Sequence, residues 1–344
     1  MTCFLRDTKY STFFTRMTVI NNMKAIVFER YGSPEVMQLK EVQKPVAKDD
    51  EILIKVHAAS VNDWDWGLVR GRPFIIRMIF GAFLKPKIKI AGTDVAGIVE
   101  GVGKQVKNFK SGDEVYGDIS ECGFGSFAEY VCVKENALIL KPAKISFEEA
   151  AATPHAAMLA VQALIDEGKI KQGQKILING AGGGVGTFGI QIAKMHDVEV
   201  TGVDSEDKLA MLTSLGFDHV IDYKKEDFTQ NGEQYDLILD VKTNRSISAY
   251  TNSLKVNGRY ITVGGDLSKL LQIALLGKWI SIVKKRHLKV LSLKPNKNMA
   301  YINQLFEKNQ LRAVIDGLYA LKDVPDTLQY FGEGKHKGKI VITI

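Results

Sequence analysis

Polar and hydrophobic residues alternate along the first part of the chain, as they do in half-buried strands. Alternating runs rich in Val, Ile and Leu predict strands at 24–29, 51–58, 92–102, 114–116 and 128–133. Turn signals such as Lys48-Asp49-Asp50 and Ser111-Gly112-Asp113 separate these runs. The pattern predicts an antiparallel, barrel-like first half.

The periodicity changes near residue 146, where Ser146 and Glu149 have the spacing of a capping box at the start of a helix. From here to about residue 265, strands alternate with helices. Strands are predicted at 175–179, 198–203, 219–222, 237–240 and 260–263, and helices at 184–194 and 208–215. This alternation predicts a parallel sheet, and the tail returns to a β pattern over 339–344.

A glycine-rich turn joins the strand and the helix of residues 175–194 (KILINGAGGGVGTFGIQIAK). Glycines let the chain turn tightly, let backbone approach a pyrophosphate, and let the helix pack close to the strand. The diphosphate then lies at the helix N-terminus, where free N–H groups and the helix dipole favour negative charge. The turn predicts a dinucleotide site formed by Gly182, Gly183, Gly184, Val185 and Gly186.

The end of the following strand is expected to contact the adenosine ribose. Asp204 comes eighteen residues after Gly186, and a carboxylate there accepts hydrogen bonds from the ribose hydroxyls of NAD. Against the 2′-phosphate of NADP it is repulsive, on the order of 4 kcal/mol for unit charges ~4 Å apart. Lys208 and Tyr223 are placed to hold that phosphate, and Lys208 would offset the repulsion. The sequence therefore leaves both NADPH and NADH open as cofactors.

Composition limits the class of protein. The 344 residues are 45% hydrophobic and 25% charged, which fits two soluble domains and excludes disorder as the main state. The only cysteines are Cys3, Cys122 and Cys132, which excludes a disulfide framework and a four-cysteine zinc site. We expect a reducing compartment, the cytoplasm. No run reaches the ~18 apolar residues of a spanning helix.

Residues 1–22 differ in composition from the rest of the chain. They are rich in Ser and Thr and carry three basic residues and one acid. We expect a disordered extension, either a transit peptide or the product of an upstream start codon with Met23 opening the folded protein.

The net charge of +7 is concentrated in two stretches without acidic residues. The stretch between Asp65 and Asp94 carries +6 and the stretch between Asp266 and Glu307 carries +8, so the remaining residues carry −7. Both stretches contain apolar runs, at 73–84 and 270–283, of the kind found in interfacial segments. They lack the interleaved aromatic residues of single-strand binders, so nucleic acid is not expected as a partner.

The chain resembles the medium-chain dehydrogenase/reductase superfamily, in its zinc-free quinone oxidoreductase-like (zeta-crystallin-like) branch. The resemblance covers residues 23–344 and rests on MKAIVFERYGSPEVMQL, VHAASVNDWDW, GTDVAGIVEGVG, GDEVYGD, GSFAEYV, the glycine-rich turn, VIDYKKEDF and GKIVI. It implies an α/β fold with a GroES-like β-barrel catalytic domain (23–145 and 296–344) and a doubly wound Rossmann domain (146–295). It also implies hydride transfer from NADPH to a quinone or an α,β-unsaturated carbonyl, and a homodimer.

The resemblance also implies site residues. Zinc enzymes of the superfamily carry a Cys and a His-Glu pair where this chain has Asn62 and Thr93-Asp94, so no zinc is expected. Asn62 is then the leading candidate to polarise the substrate, and Asp65 matches the Asp of the family's Asn-x-x-Asp stretch. Further cofactor contacts are expected from Thr153, Ser205, Val263, Gly264 and Gly265.

Relatives place the two basic, apolar stretches near the substrate mouth and the dimer contact. One hypothesis is therefore a basic-rimmed mouth that admits a small lipophilic substrate, with peripheral membrane contact; a dimer interface with solvated lysines is the alternative. Two other functions also stay open at this point. One is a metal-free NAD(P)-dependent alcohol dehydrogenase, and the other is a non-catalytic cofactor-binding adaptor at a membrane or a nucleic acid.

Overall fold

Two large sheets organise the computed structural model, which describes residues 21–80 and 84–344. Residues 1–20 of the predicted extension lie outside the described residues. The first strand begins at Asn22, so the last residue assigned to the extension already belongs to the fold.

The secondary structure follows in chain order. The strands are β1 (Asn22–Val27), β2 (Gln38–Gln43), β3 (Glu51–Ser60), β4 (Asp94–Val102), β5 (Glu114–Asp118), β6 (Tyr130–Lys134), β7 (Ile139–Leu140), β8 (Lys175–Asn179), β9 (Glu199–Asp204), β10 (His219–Asp222), β11 (Tyr235–Asp240), β12 (Leu254–Thr262), β13 (His287–Val290), β14 (Ile315–Ala320) and β15 (Lys339–Thr343). The helices are α1 (Asp63–Arg70), α2 (Ile75–Phe80), α3 (Phe147–Ala151), α4 (Pro154–Val161), α5 (Gly184–Lys194), α6 (Glu206–Leu215), α7 (Ile247–Asn252), α8 (Leu267–Lys284), α9 (Met299–Glu307) and α10 (Val324–Gly332).

The first sheet is built around β3, which pairs antiparallel with β4, β6 and β15. Alternate residues of β3 are buried, as the sequence pattern predicts for a strand with one face on a core. The order is β14-β15-β3-β4-β5-β7, so the C-terminal strands return to the sheet formed by the first half. The predicted antiparallel first half is confirmed. Its β4–β5 pair sets Asp94 opposite Asp118.

The second sheet is parallel, in the order β10-β9-β8-β11-β12-β13. This is the strand order of a doubly wound dinucleotide fold. Ile176 and Ile178 of β8 belong to the core that includes α4 and α5, whereas Leu177 belongs to the core beneath α7 and α8. Because alternate side chains of one strand are buried on opposite faces, helices cover both faces of the sheet.

The structure differs from the sequence prediction in element boundaries and in elements that were not predicted, among them α1, α10 and β14. The helix α6 begins at Glu206 rather than 208, because Ser205 takes the extended N-cap conformation directly after β9. The apolar run at 270–283 forms the long helix α8, which begins after Asp266, whose side chain accepts a hydrogen bond from Ser268 N. Within residues 21–80 and 84–344, no helix is long and apolar enough to cross a membrane. The domain boundaries at 145/146 and 295/296 stay predictions.

Candidate functional site

The glycine-rich turn lies between β8 and α5, with the bounds that the sequence predicts. Gly180 has a φ of +83°, a left-handed conformation that lets the chain leave the strand sharply. A Cβ on Gly186 would lie 2.4 Å from the carbonyl oxygen of Ala181, so the first turn of α5 packs against the turn itself. The turn therefore requires glycine at both positions for steric reasons.

Most of the predicted cofactor residues line two neighbouring cavities that share several lining residues. A cavity of about 70 Å³ lies beside the glycine-rich turn, and it is lined by Gly183, Gly184, Val185, Asp204 and Lys208. The predicted residues that line a larger cleft of about 1020 Å³ are Val185, Val263, Gly264 and Gly265. We call these spaces the dinucleotide cavity and the substrate cleft.

The other predicted cofactor residues lie behind or beside these cavities. Thr153 is buried, and its hydroxyl donates to the carbonyl of Glu149. Gly182 lies under the turn, where a Cβ would meet the Lys208 side chain at 2.6 Å. Tyr223 is 49% exposed just after β10. Gly186 lies in the first turn of α5, and Ser205 is the N-cap residue of α6.

Asp204 lines the dinucleotide cavity, but its carboxylate is largely buried and engaged by neighbouring groups. Its Oδ2 accepts a hydrogen bond from Gly182 N at 2.7 Å, and its Oδ1 accepts one from Ser205 N at 2.9 Å. The Lys208 ammonium is 3.4 Å from Oδ1 and donates to the carbonyl of Gly334 at 2.8 Å. Asp204 therefore stabilises the glycine-rich turn, and a cation faces its negative charge.

His336 was missed by the sequence analysis and lines the dinucleotide cavity. Its ring stacks on Phe331, and its Nδ1 is buried without a hydrogen-bond partner among the described residues. Burial, together with the charges of Lys208, Lys242 and Lys339, lowers the pKa of His336 to about 3. A neutral ring with an unpartnered nitrogen, a glycine cradle and nearby lysines fits an anionic dinucleotide.

We expect the stability of the ligand-free protein to depend on His336 at mildly acidic pH. Folded His336 has its pKa lowered to about 3, whereas an unfolded histidine titrates near 6.5. Between these two values only the unfolded state binds the proton. His336 therefore costs no stability above pH 6.5, and its cost grows as the pH falls from 6.5 toward 3. Between pH 7 and 5 the free energy of unfolding should drop by about 2 kcal/mol for this reason.

Urea unfolding at pH 7 and pH 5 measures this effect. The His336→Gln variant should lose about 2 kcal/mol less than the wild type over that interval. His219→Gln is the matched control, since the His219 side chain is 61% exposed, and it should behave like the wild type. An equal pH dependence in wild type and His336→Gln would contradict the assignment.

A buried lysine of β15 holds the loop after β3 beside the start of β4. The Lys339 ammonium donates to Asn62 Oδ1 at 2.5 Å and to the carbonyl of Val61 at 3.1 Å, and lies 3.6 Å from Asp94 Oδ2. Burial lowers the pKa of Lys339, while the charges of Asp94 and Asp65 oppose that shift. The sequence holds one signal for this residue, a lysine at the head of the apolar strand β15.

Asn62 lies at the dinucleotide cavity, but both ends of its amide are occupied. Its Nδ2 donates to Asp94 Oδ2 at 2.9 Å and to the carbonyl of Ser60 at 3.4 Å, while its Oδ1 accepts from Lys339. A donor used in this way is not free to polarise a substrate oxygen. The geometry therefore favours a positioning role for Asn62 over the expected polarising one.

Asp65 is fully buried and caps the start of α1. Its carboxylate accepts hydrogen bonds from Asn62 N, Gly92 N and the Thr93 hydroxyl, at 2.9, 2.9 and 3.0 Å. Burial raises the pKa of Asp65 to about 7, against the three hydrogen bonds, which lower it. Neither cavity is lined by Asp65. Its contacts hold the Asn62 loop against the loop before β4.

His155 lies at the junction of the two cavities and lines both of them. Its Nδ1 is 2.9 Å from Asp118 Oδ2, and its backbone N–H donates to Asp94 Oδ1. Burial lowers the pKa of His155, but the hydrogen bond and charge of Asp118 outweigh burial, so the net shift is upward. No hydrogen bond to Nε2 occurs within the described residues, which leaves that nitrogen available to a ligand.

The substrate cleft is mainly apolar. Its walls include Trp64, Trp66 and Phe80 from the α1–α2 region, and Leu267, Leu270 and Leu291 from the parallel-sheet side. Charged side chains, among them Arg70, Arg72 and Glu121, also line the cleft, so its apolar walls suit a lipophilic molecule that carries a polar group.

The residues at the zinc positions do not fit a zinc ion. Asn62 and Asp94 are bound to each other and to the Lys339 ammonium, so a cation already lies within this group. An amide and one carboxylate beside an ammonium are not a donor set for zinc. Among residues 21–80 and 84–344, no three His, Cys, Asp or Glu side chains are grouped so that they could hold a metal ion.

Comparison with family models gives two matches. Residues 48–143 match the model described as alcohol dehydrogenase GroES-like domain. Residues 215–342 match the model described as zinc-binding dehydrogenase. The two matches fall on the first sheet and on the later part of the parallel sheet with the C-terminal strands.

Individual proteins match over nearly the whole chain. The 2-methylene-furan-3-one reductase of Solanum lycopersicum is 35% identical over 95% of this chain and 81% of its own length. The chloroplastic NADPH-dependent alkenal/one oxidoreductase of Arabidopsis thaliana is 32% identical over 94% of this chain and 80% of its own. The solved structure of the quinone oxidoreductase from Coxiella burnetii is 29% identical, covers 94% of this chain and 99% of its own, and has a TM-score of 0.83. The chain therefore belongs to the medium-chain dehydrogenase/reductase superfamily, as a quinone oxidoreductase-like member with a GroES-like domain and a parallel dinucleotide-binding sheet.

Proposed function

We propose that the chain is a zinc-independent, NADPH-dependent oxidoreductase that transfers hydride to a quinone or an α,β-unsaturated carbonyl. The observation that carries this proposal is that the dinucleotide cavity and a large, mainly apolar cleft share His155, Leu159 and Val185 as lining residues. A bound nicotinamide supplies the hydride, and the chain positions the acceptor and excludes water. The names of the related reductases support the same substrate classes.

NADPH is the favoured cofactor because the negative charge of Asp204 is already compensated by its neighbours. Hydrogen bonds from Gly182 N and Ser205 N, and the ion pair with Lys208, occupy the carboxylate. The repulsion that would exclude a 2′-phosphate is thereby weakened. Lys208, Tyr223 and Ser205 are our proposed contacts for the phosphate, and His336 for the diphosphate.

His155 is our proposed proton donor at the junction of the cavities. Hydride addition to the β-carbon of an enone, or to a quinone, leaves an oxyanion that must take up one proton. The Nε2 proton of His155 serves this step, Asp118 holds the imidazolium, and solvent reprotonates the ring. Asn62, Asp65 and Lys339 fix the loops around it without touching the substrate.

Steady-state oxidation of NADPH and NADH with a quinone, an enone and an aldehyde tests the proposed function. We expect turnover with the quinone or the enone, a lower KM for NADPH, and no loss of activity in EDTA. Activity confined to alcohols or aldehydes would favour a metal-free alcohol dehydrogenase. Tight cofactor binding without any turnover would favour a non-catalytic adaptor.

The Lys208→Ala variant tests cofactor selection. We expect the KM for NADPH to rise at least about tenfold more than the KM for NADH, since only the former loses a charge-assisted contact. The structural role of Lys208 at Gly334 affects both cofactors alike, so the ratio isolates the phosphate contact. Equal effects on both KM values would refute the phosphate role.

Assembly and domain limits are part of the same proposal. We propose a homodimer, which light scattering of the purified protein tests. We also propose that 23–145 with 296–344, and 146–295, are the two structural units. Limited proteolysis should cut preferentially near residues 145 and 295 if these are the domain boundaries.

A further inference from the structure

The helix α8 is apolar on two opposite sides. Ile273, Gly277 and Ile280 are buried at helical spacing, and a Cβ on Gly277 would lie 2.4 Å from the carbonyl oxygen of Leu288 in β13. This side packs on the parallel sheet. The side chains directed away from the sheet include Leu275, which is 78% exposed, and Ile282, which is 80% exposed. A helix that is hydrophobic all round needs a second apolar environment.

Exposed apolar residues occur on both α8 and α2, two helices that line the substrate cleft. Most of the large apolar side chains that are exposed in the described parts of the chain belong to these two regions. On α2 and just after it they include Met78, Ile79 and Leu84, and on α8 also Leu271, Leu276, Trp279 and Val283. Ile75 and Ile79 of α2, and Leu267 and Leu270 of α8, line the cleft from its two sides. We call this the apolar mouth surface.

Exposed basic residues accompany the apolar mouth surface. Arg72 lines the cleft beside the acidic residues Asp63 and Glu121, Lys278 and Lys284 lie on α8, and Lys285 follows it. No acidic residue occurs between Asp65 and Asp94 or between Asp266 and Glu307. A second copy of this chain would bring the same positive charges to the contact, which is repulsive. An anionic, apolar partner complements both properties of the surface.

We propose that the apolar mouth surface docks on an anionic lipid membrane, with α8 lying in the interface. Leu275, Trp279 and Ile282 enter the boundary between headgroups and acyl chains, and Lys278, Lys284 and Lys285 contact the anionic headgroups. A nucleic acid offers no counterpart to exposed Leu and Ile side chains. Docking opens the substrate cleft toward the bilayer, so a lipophilic acceptor enters from the lipid phase; this last step rests on the proposed function.

Vesicle co-sedimentation of the full chain, without cofactor or substrate, tests the docking independently of any activity. The probes are vesicles of phosphatidylcholine alone and of phosphatidylcholine with phosphatidylglycerol. We expect binding that requires the anionic lipid and weakens with salt. The Leu275→Ser/Ile282→Ser variant should bind at least about tenfold more weakly, because two side chains no longer enter the lipid.

The matched control is Val46→Ser, since Val46 is 82% exposed outside the apolar mouth surface, and its binding should equal that of the wild type. Equal binding to vesicles with and without phosphatidylglycerol would overturn the proposal. Equal vesicle binding by Leu275→Ser/Ile282→Ser and the wild type would also overturn it. So would conversion of a wild-type dimer to a monomer by Leu275→Ser/Ile282→Ser with vesicle binding unchanged, which would assign the surface to a second copy. A wild type that binds vesicles but reduces no acceptor would overturn only the proposed function.

Discussion

Replacing Lys339 by methionine is expected to lower the free energy of unfolding by about 3–5 kcal/mol. The Lys339 ammonium is buried 3.6 Å from Asp94 Oδ2 and donates to Asn62 Oδ1 at 2.5 Å. Methionine has similar length but no charge, so Asp94 would stay in the interior without a cation. Removal of one partner from a buried ion pair costs more than the pair itself contributes, because the other charge is left uncompensated.

Urea unfolding with its midpoint and slope measures the effect. Lys335→Met is the matched control: its side chain is 67% exposed and pairs with Glu333, so the change should stay within about 0.5 kcal/mol. The double variant Lys339→Met/Asp94→Asn should recover part of the loss, because it also removes the unpaired charge. A loss below about 1 kcal/mol in Lys339→Met would show that the ammonium contributes little to the fold.

The strand, turn and helix of residues 175–194 were predictable because all their determinants are local. The apolar strand β8, the glycines and the apolar helix α5 follow each other directly in the sequence. The same holds for α3, whose start is fixed by the reciprocal hydrogen bonds of Ser146 and Glu149. Local signals of this kind predict both the type of an element and its first residue.

The polar groups of the site were not predictable in the same way, because they meet only through the sheets. Asp94 and Asp118 become neighbours through the pairing of β4 with β5, and α4 then brings His155 to Asp118. Lys339 arrives from the last strand, which pairs with β3. Asn62 lines the cavity, but its amide is bonded to Asp94 and Lys339, which are distant in sequence, so the geometry does not favour the predicted polarising role.

Replacing His155 by glutamine is expected to lower kcat for enone or quinone reduction about a hundredfold or more. Glutamine keeps a polar side chain of similar reach but cannot release a proton to the oxyanion. His155 is buried between the two cavities, with Nδ1 held 2.9 Å from Asp118 Oδ2 and Nε2 left for the substrate. The reductant still delivers its hydride, so the loss reflects the missing proton.

The pH dependence of kcat separates a proton donor from a packing residue. Asp118 raises the pKa of His155 against the effect of burial. The wild-type kcat should therefore be highest when the imidazole is protonated, and should fall as the pH rises through that raised pKa. This alkaline fall should disappear in His155→Gln, whose kcat is low at every pH.

The Asp118→Asn variant gives the sharper test, because it changes the proton donor without removing it. An amide still accepts a hydrogen bond from Nδ1–H but carries no charge, so the pKa of His155 should move down. The alkaline fall of kcat should then shift to lower pH, while kcat at the acidic end stays close to that of the wild type. A shift toward higher pH, or an unchanged profile in both variants, would exclude His155 as the donor. A uniform loss of activity in Asp118→Asn at every pH would instead indicate that Asp118 only holds the loop after β5, since a purely structural defect does not move a titration.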